Sequence, residues 1–192
     1  MAALSAPVAA QTVPTTRDLE RINWMEVREL VPAKVPTVLL PLGSLEAHGV
    51  TANGADILAP VAMARDIATR VNAMVAPAIP YGITASLAAY PGGLTVPDDA
   101  YKGYVRAVLV GLARSRFRNI ILLNGHGGNT AALNAVAAEV AAETGARTLV
   151  VNWWTYCSDI TFEVFGEEGG HAGDNENAYI MAIDQALSHP ER

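Results

Sequence analysis

Glu46, His48 and Asp56 stand within one short stretch, PLGSLEAHGVTANGAD (Pro41–Asp56), of a 192-residue chain. Glu46 and His48 are two apart, so in an extended segment both side chains leave on the same side. A carboxylate and an imidazole on one side, followed by a second carboxylate, make half of a metal site. By itself the pattern also fits polar groups on a surface loop. The other half of any site has to come from elsewhere in the chain.

Two further stretches offer it. NGHGGN (Asn124–Asn129) puts His126 between glycines, which allow a sharp backbone turn and leave room beside the ring. Three readings stay open there: a metal-binding histidine, a glycine-rich anion cradle at the start of a helix, or a structural histidine. The phosphate-loop spacing and its lysine are missing, which argues against a nucleotide. GGHAGDNENAY (Gly169–Tyr179) supplies His171 in a glycine context and Glu176 at a helix start. A carboxylate there also suits the helix dipole without any chemical role. Oxygen and nitrogen donors without thiolate suit zinc, manganese or iron. The lone cysteine, Cys157, excludes an intrachain disulfide and a cysteine-based zinc site. It reads as a small buried filler.

These residues need elements to position them. Thr15–Val31 has apolar residues at roughly helical spacing, with Thr15 and Asp18 placed to cap it and a break near Asn23. Pro36–Leu42 is an apolar run without alternation, as expected for a strand covered on both faces. A helix over Asp56–Val71 follows, with Pro60 fitting only in its first turn. Ala73–Ala78 reads as a second strand and residues 80–97 as a long loop. Pro97–Arg116 reads as a helix with an acidic start and a basic end. Asn119–Leu123 is a third strand, Thr130–Thr144 a helix closed by Gly145, and Arg147–Asn152 a fourth strand. Trp153–Gly170 reads as irregular, and a last helix runs from Gly173 or Asp174 to about Leu187. Strands alternating with helices predict a three-layer α/β/α fold around a mostly parallel sheet. In such sheets ligands gather beyond the carboxyl ends of the strands, where the loops after Leu42 and Leu123 both lie. Trp153 and Trp154 follow the fourth strand, either walling a pocket or packing in a core or interface. His189, near the chain end, reads as solvated.

Composition narrows the partners. Half the residues are hydrophobic, enough for a sizeable core in one domain over residues 14–192. A net charge of -6 offers nothing to a phosphate backbone, so nucleic acid is not expected. No apolar run approaches the ~20 residues of a membrane span. Residues 1–13 read as a disordered tail or the remnant of a signal peptide, with Val8-Ala9-Ala10 before Gln11 placed like a cleavage site. This leans towards export to the periplasm, with a cytoplasmic location as the alternative.

Taken together, GSLEAHG (Gly43–Gly49), Asp56, NGHGGN and GGHAGDNE (Gly169–Glu176) resemble the creatininase family of metal-dependent amidohydrolases, in the family's order. The resemblance implies the creatininase-like α/β fold and two divalent ions, zinc or manganese, with iron possible. It implies Glu46, His48, Asp56, His126 and Glu176 as ligands, with Asp56 bridging, and Glu176 also counted among the catalytic groups. It places His171 near the substrate as proton donor or polariser. The implied activity is hydrolysis of a carbon–nitrogen bond in a small amide or cyclic amide by a metal-bound water at a dinuclear site. The alternatives are a lactone or sugar-ring hydrolase and an inactive metal-binding relative. A small-molecule substrate and a homo-oligomer, a hexamer by resemblance, go with it. The chain departs from the pattern in four places. The His48–Asp56 loop is one residue shorter. Thr51 stands where a second histidine is usual, and Ala55 where a threonine is. Asn177 replaces a threonine after Glu176. The chain also stops at Arg192 where relatives continue, which reads as a C-terminally truncated or compact member.

Overall fold

The structure, a computed structural model, describes residues 16–192. The signal-like segment 1–13 and the capping role of Thr15 lie outside the described residues. Four strands, β1 (Thr37–Leu42), β2 (Ala73–Val75), β3 (Asn119–Asn124) and β4 (Arg147–Asn152), pair in the order β2-β1-β3-β4, all parallel. All six residues of β1 are buried because alternate side chains enter different cores. Val38, Leu40 and Leu42 meet one, and Leu39 the other.

The larger core lies under α3 (Asp98–Arg114) and α4 (Thr130–Thr144), through Tyr101, Val105, Leu109, Leu133, Val136 and Val140. The opposite face is covered by α2 (Ala55–Ile67), whose Ala64 packs with Leu39 and Leu123. Against α2 sits α7 (Asp174–Ile183), with Ala55, Ala59, Trp153 and Ile180 forming a third, smaller core. Truncating a fully buried member such as Leu40 or Leu122 to alanine is expected to cost about 2–5 kcal/mol, through lost burial plus the cavity left behind.

The first helical stretch is two pieces, a 3-10 turn (Leu19–Arg21) and α1 (Trp24–Leu30). Asn23 separates them and forms a capping box. Its Oδ1 accepts the Met25 and Glu26 amides at 2.9 and 3.1 Å, and Glu26 Oε2 accepts the Asn23 amide at 2.8 Å.

Four expectations need correction. Residues 153–170 are not irregular: α5 (Trp153–Tyr156) and α6 (Ser158–Phe165) lie there. The apolar side chains of α6 face outward, so no core-directed stripe marks the helix. The last helix stops at Ile183, where Asp184 turns extended and its side chain caps a 3-10 turn over Gln185–Leu187. The second strand ends at Val75, two residues before Pro77, which has no amide to donate. Pro60 falls in the second turn of α2, because the helix already begins at Ala55. It therefore has no N–H to give the Asp56 carbonyl four residues back. Among the described residues no helix is long and apolar enough to cross a membrane.

Candidate metal centre

β1 and β3 are neighbours, with Leu42 in register with Asn124. Their outgoing loops therefore leave side by side, at the point where the sheet's winding reverses. The loop after β1 carries Glu46 and His48 and delivers Asp56 to the first turn of α2; the loop after β3 carries His126. Glu176 enters from the first turn of α7, so both Asp56 and Glu176 sit at helix starts that favour a negative charge. The two loops can close on each other because residue 125 is glycine. A β-carbon there would lie 2.0 Å from the Asp56 carbonyl oxygen, the one that Pro60 leaves free.

All six residues singled out in the sequence meet in one place. Asp56 Oδ1 lies 3.0 Å from His48 Nε2, and its Oδ2 lies 2.8 Å from His126 Nδ1. Glu46 Oε1 is 3.0 Å from the same His126 nitrogen, and Glu176 Oε2 is 3.4 Å from His48 Nε2. Two clusters result, Glu46–Asp56–His126 and His48–Asp56–Glu176, each small enough for one ion to touch every member, with Asp56 common to both. A third combination, Glu46–His48–His171, brings His171 Nδ1 to 3.4 Å from Glu46. Glu46, His48, Asp56 and His126 are buried, whereas His171 is exposed and its ring packs 4.4 Å from that of His48.

The donor set fits cations on a test internal to the structure. Each imidazole has one nitrogen at a backbone carbonyl, which can only accept. His48 Nδ1 faces Glu46 O at 3.3 Å, His126 Nε2 faces Ile83 O at 2.9 Å, and His171 Nε2 faces Ala47 O at 2.8 Å. Those nitrogens carry the proton, so the neutral rings turn bare lone pairs towards carboxylates. That arrangement is repulsive unless a cation lies between them or the rings take a second proton. Burial lowers the proton affinity of His48, but Asp56 and Glu176 outweigh it and push its pKa up to about 10. His126 behaves alike: burial opposes, Asp56 and Glu46 prevail, and the pKa again rises to about 10. Asp56 is held below its ordinary value by His126 and His48 despite its burial, which acts the other way. Even so, His48 Nε2 and Asp56 Oδ2 have no hydrogen-bond partner among the described residues. Buried polar atoms this close to charged neighbours, yet not directed at them, converge on shared points, as ligand atoms do.

Several positioning groups were not readable as such. Buried Asn124 donates to His126 O at 2.8 Å and accepts the His126 amide at 3.1 Å, bracing the loop from within. Asn129 joins Gly43 O at 3.0 Å to the Ile83 amide at 2.9 Å, which places the carbonyl that holds His126. Both asparagines belong to NGHGGN, but Asn124 bonds the backbone of His126 within the motif and Asn129 the backbone of Gly43 and Ile83 far along the chain, which residue type alone does not announce.

The cluster forms the floor of an open pocket of about 630 Å³. Its walls include Ile83–Leu87, Trp154 and the loop from Glu168 to His171, and its lining contains no lysine or arginine. Trp153 is buried in the third core, and Trp154, partly buried against that core, also lines the pocket. Cys157 is half-buried and lies outside the pocket lining, and its thiol is pushed up by burial and then by Asp159, away from the thiolate form. His189 is half exposed, facing Glu191.

Residues 20–192 match the Creatininase (creatinine amidohydrolase) family. The chain is 25% identical to the creatinine amidohydrolase of Pseudomonas putida, over 88% of this chain and 75% of that protein. It is 29% identical to the 3-dehydro-scyllo-inosose hydrolase of Thermotoga maritima, over 93% and 60% respectively. It is 30% identical to the mycofactocin precursor peptide peptidase of Mycobacterium tuberculosis, over 84% and 64%. The chain thus spans only part of the length of these relatives. A crystal structure of creatinine amidohydrolase superposes with a TM-score of 0.86 at 24% identity, covering 93% of this chain and 76% of that one. Creatininase structures described as manganese and Zn-Zn forms give TM-scores of 0.85 and 0.84.

Proposed function

The chain belongs to the creatininase family, and on that footing we propose that it is a metal-dependent hydrolase cleaving a carbon–nitrogen bond in a small amide or cyclic amide. The observation that carries this reading is the division of Asp56, whose two oxygens face two different histidines, each with its own glutamate. In this reading Glu46 and His126 would hold one divalent ion, His48 and Glu176 would hold a second, and Asp56 would serve both. Zinc or manganese, with iron as a third choice, suits such oxygen and nitrogen donors. Such a pair supplies, when bound, a water of lowered pKa and a polarised carbonyl.

The rest of the work falls to this chain's own groups. The carbonyls of Glu46 and Ile83 fix the tautomers of His48 and His126 and so aim the other nitrogen inward. His171 is the group best placed to serve a departing nitrogen. It stands on the open side of the cluster, its Nε2 proton is fixed on Ala47 O, and its Nδ1 faces inward and can carry a second proton. Trp154 gives a flat wall for a planar amide or ring. The similarity to the inosose hydrolase supports a second reading, in which the attacked group belongs to a sugar-like ring. Self-association into a homo-oligomer accompanies the proposal, supported by the outward apolar face of α6.

The test is metal analysis of the purified protein beside Glu46→Gln and Asp56→Asn, followed by a panel of small amides, cyclic ureas and sugar lactones with added Mn²⁺ or Zn²⁺. One hydrolysed compound, with turnover lost in His126→Ala, is the expected result. Wild-type protein holding no more metal than the variants overturns the proposal.

A further inference from the structure

Ala172, directly after His171, has φ 54, a conformation that its β-carbon makes unfavourable. Two consecutive residues of α7 hold it there. Glu176 Oε2 accepts the Ala172 amide at 2.7 Å, and Asn177 Nδ2 donates to the Ala172 carbonyl at 3.1 Å. The Asn177 side chain has a second tie, because its Oδ1 accepts the hydroxyl of buried Thr51. Thr51 in turn closes the turn that carries His48, its amide donating to the His48 carbonyl at 2.9 Å. Thr51 and Asn177 are thus in direct contact.

From this we infer that Asn177, anchored by Thr51, is a positioning residue that locks the strained Ala172 turn and thereby fixes His171 over the cluster. The inference rests on the hydrolase reading for its kinetic consequence, but not for its structural one. Glu176 cannot hold the turn alone if its carboxylate is also drawn to an ion, since the same Oε2 faces His48 Nε2 at 3.4 Å. Asn177 has no such competing duty. It is neutral, it is half-buried, and each end of its amide already has its partner. The arrangement couples the turn bearing His48 to the loop bearing His171 through one side chain.

The experiment compares wild type, Asn177→Ala, Thr51→Val and Asn177→Ala/Ala172→Gly, all loaded with Zn²⁺ or Mn²⁺. Hydrogen exchange of the segment from Gly170 to Gly173 is expected to quicken about tenfold in Asn177→Ala. Metal content should stay at the wild-type level. On any hydrolysed amide, kcat should fall about ten- to a hundredfold, as for other outer-sphere positioning groups, with KM within about twofold. Glycine at position 172 removes the steric penalty of the turn, so the double variant should regain most of the lost kcat. In a His171→Ala background, Asn177→Ala should cause no further loss. Thr51→Val keeps the side-chain shape and should show the same changes in weaker form, so the test survives if Asn177→Ala does not fold. Unchanged exchange in both single variants overturns the inference, as does a loss of kcat in Asn177→Ala that persists in full with glycine at 172. If wild type hydrolyses nothing, the hydrolase reading fails, while the exchange data still decide whether Asn177 is the lock.

Discussion

His48 Nε2 and Asp56 Oδ1 lie 3.0 Å apart in the protein interior, and the nitrogen still has no hydrogen-bond partner among the described residues. An ion pair meant for stability would align the N–H with the oxygen, because a buried unsatisfied donor costs about 1–3 kcal/mol. The misalignment is what two ligands of one ion show. Asp56 repeats it on its other oxygen towards His126. If the site holds two ions as proposed, Asp56→Asn should remove both, whereas His126→Ala and Glu176→Gln should each remove about one. Elemental analysis after gel filtration reads this directly. A fall in kcat/KM of about three orders of magnitude, or ~4 kcal/mol, should accompany Asp56→Asn. Equal metal loss from all three variants would contradict a shared carboxylate.

Stripped of metal, the protein should lose stability as pH rises. His48 and His126 both titrate near 10 in the folded state, against 6.5 ordinarily. A raised pKa means that the folded form binds the proton more tightly. The stabilisation is therefore complete below about pH 6.5 and disappears as pH climbs towards 10. Asp56 works from the other end: its lowered pKa stabilises above its ordinary value of 3.8 and is lost as pH falls through the depressed one. Urea midpoints in chelator at pH 6, 8 and 10 should decline in that order. Added Zn²⁺ or Mn²⁺ should counter the decline, since uptake displaces these protons and binding tightens with pH. A flat series in chelator would show that the two histidines do not hold protons against the carboxylates.

The meeting of Glu46, His48 and Asp56 with His126 was legible because chain order implied a parallel sheet, whereas His171 and Glu176 joined them only through the family resemblance. Such a sheet sends its loops to one end. What it hid was of two kinds. Asn124, Asn129 and the Ile83 carbonyl act through bonds to backbone atoms, and backbone atoms leave no mark in a sequence. Trp153 and Trp154 are adjacent, yet on a helix adjacent side chains point about 100° apart. One therefore fills a core and the other faces the pocket. Helix α6 escaped notice because a helix is read from its inward stripe, and its apolar residues point outward.

Gly128 is held to glycine by its neighbours rather than by its own torsions. A β-carbon there would lie 2.4 Å from His126 Nε2 and 2.2 Å from the Ile83 carbonyl, the two ends of the bond that fixes the ring. Gly128→Ala should break that bond and weaken metal affinity about ten- to a hundredfold. Competition against a chromogenic chelator measures it. Affinity within about twofold of wild type would mean that the Ile83 carbonyl does not orient His126.

The outward face of α5 and α6 is unusually apolar. Tyr156, Ile160 and Val164 recur every fourth residue with 80%, 58% and 65% of their surface exposed. Leu149 is likewise exposed on β4, which ends the sheet. Apolar exposure on this scale favours burial against another surface, and the proposed homo-oligomer is what should bury it. Light scattering of wild type should give a multiple of the chain mass, and Ile160→Asp/Val164→Asp should shift it to the monomer. A wild type that is monomeric at micromolar concentration, or an unshifted variant, removes this face from the assembly.

Glu168 stands in the pocket wall above a floor already rich in carboxylate, with no lysine or arginine in the lining. With two divalent ions bound, the charges of Glu46, Asp56 and Glu176 are neutralised locally. Glu168 is not, so it sets the sign of the pocket mouth. Substrates whose far end is cationic or rich in N–H donors should be preferred over matched substrates ending in a carboxylate. Glu168 is exposed, and a charge pair in water at 4 Å is worth about 1 kcal/mol, so the effect should be modest. Glu168→Gln should cut the cationic-over-neutral ratio of kcat/KM about fivefold, and Glu168→Lys should invert the preference. Raising the salt should shrink the wild-type ratio as the mouth is screened. Should the ratio stay constant across all three proteins, selection lies deeper, with Trp154 and the floor of the pocket.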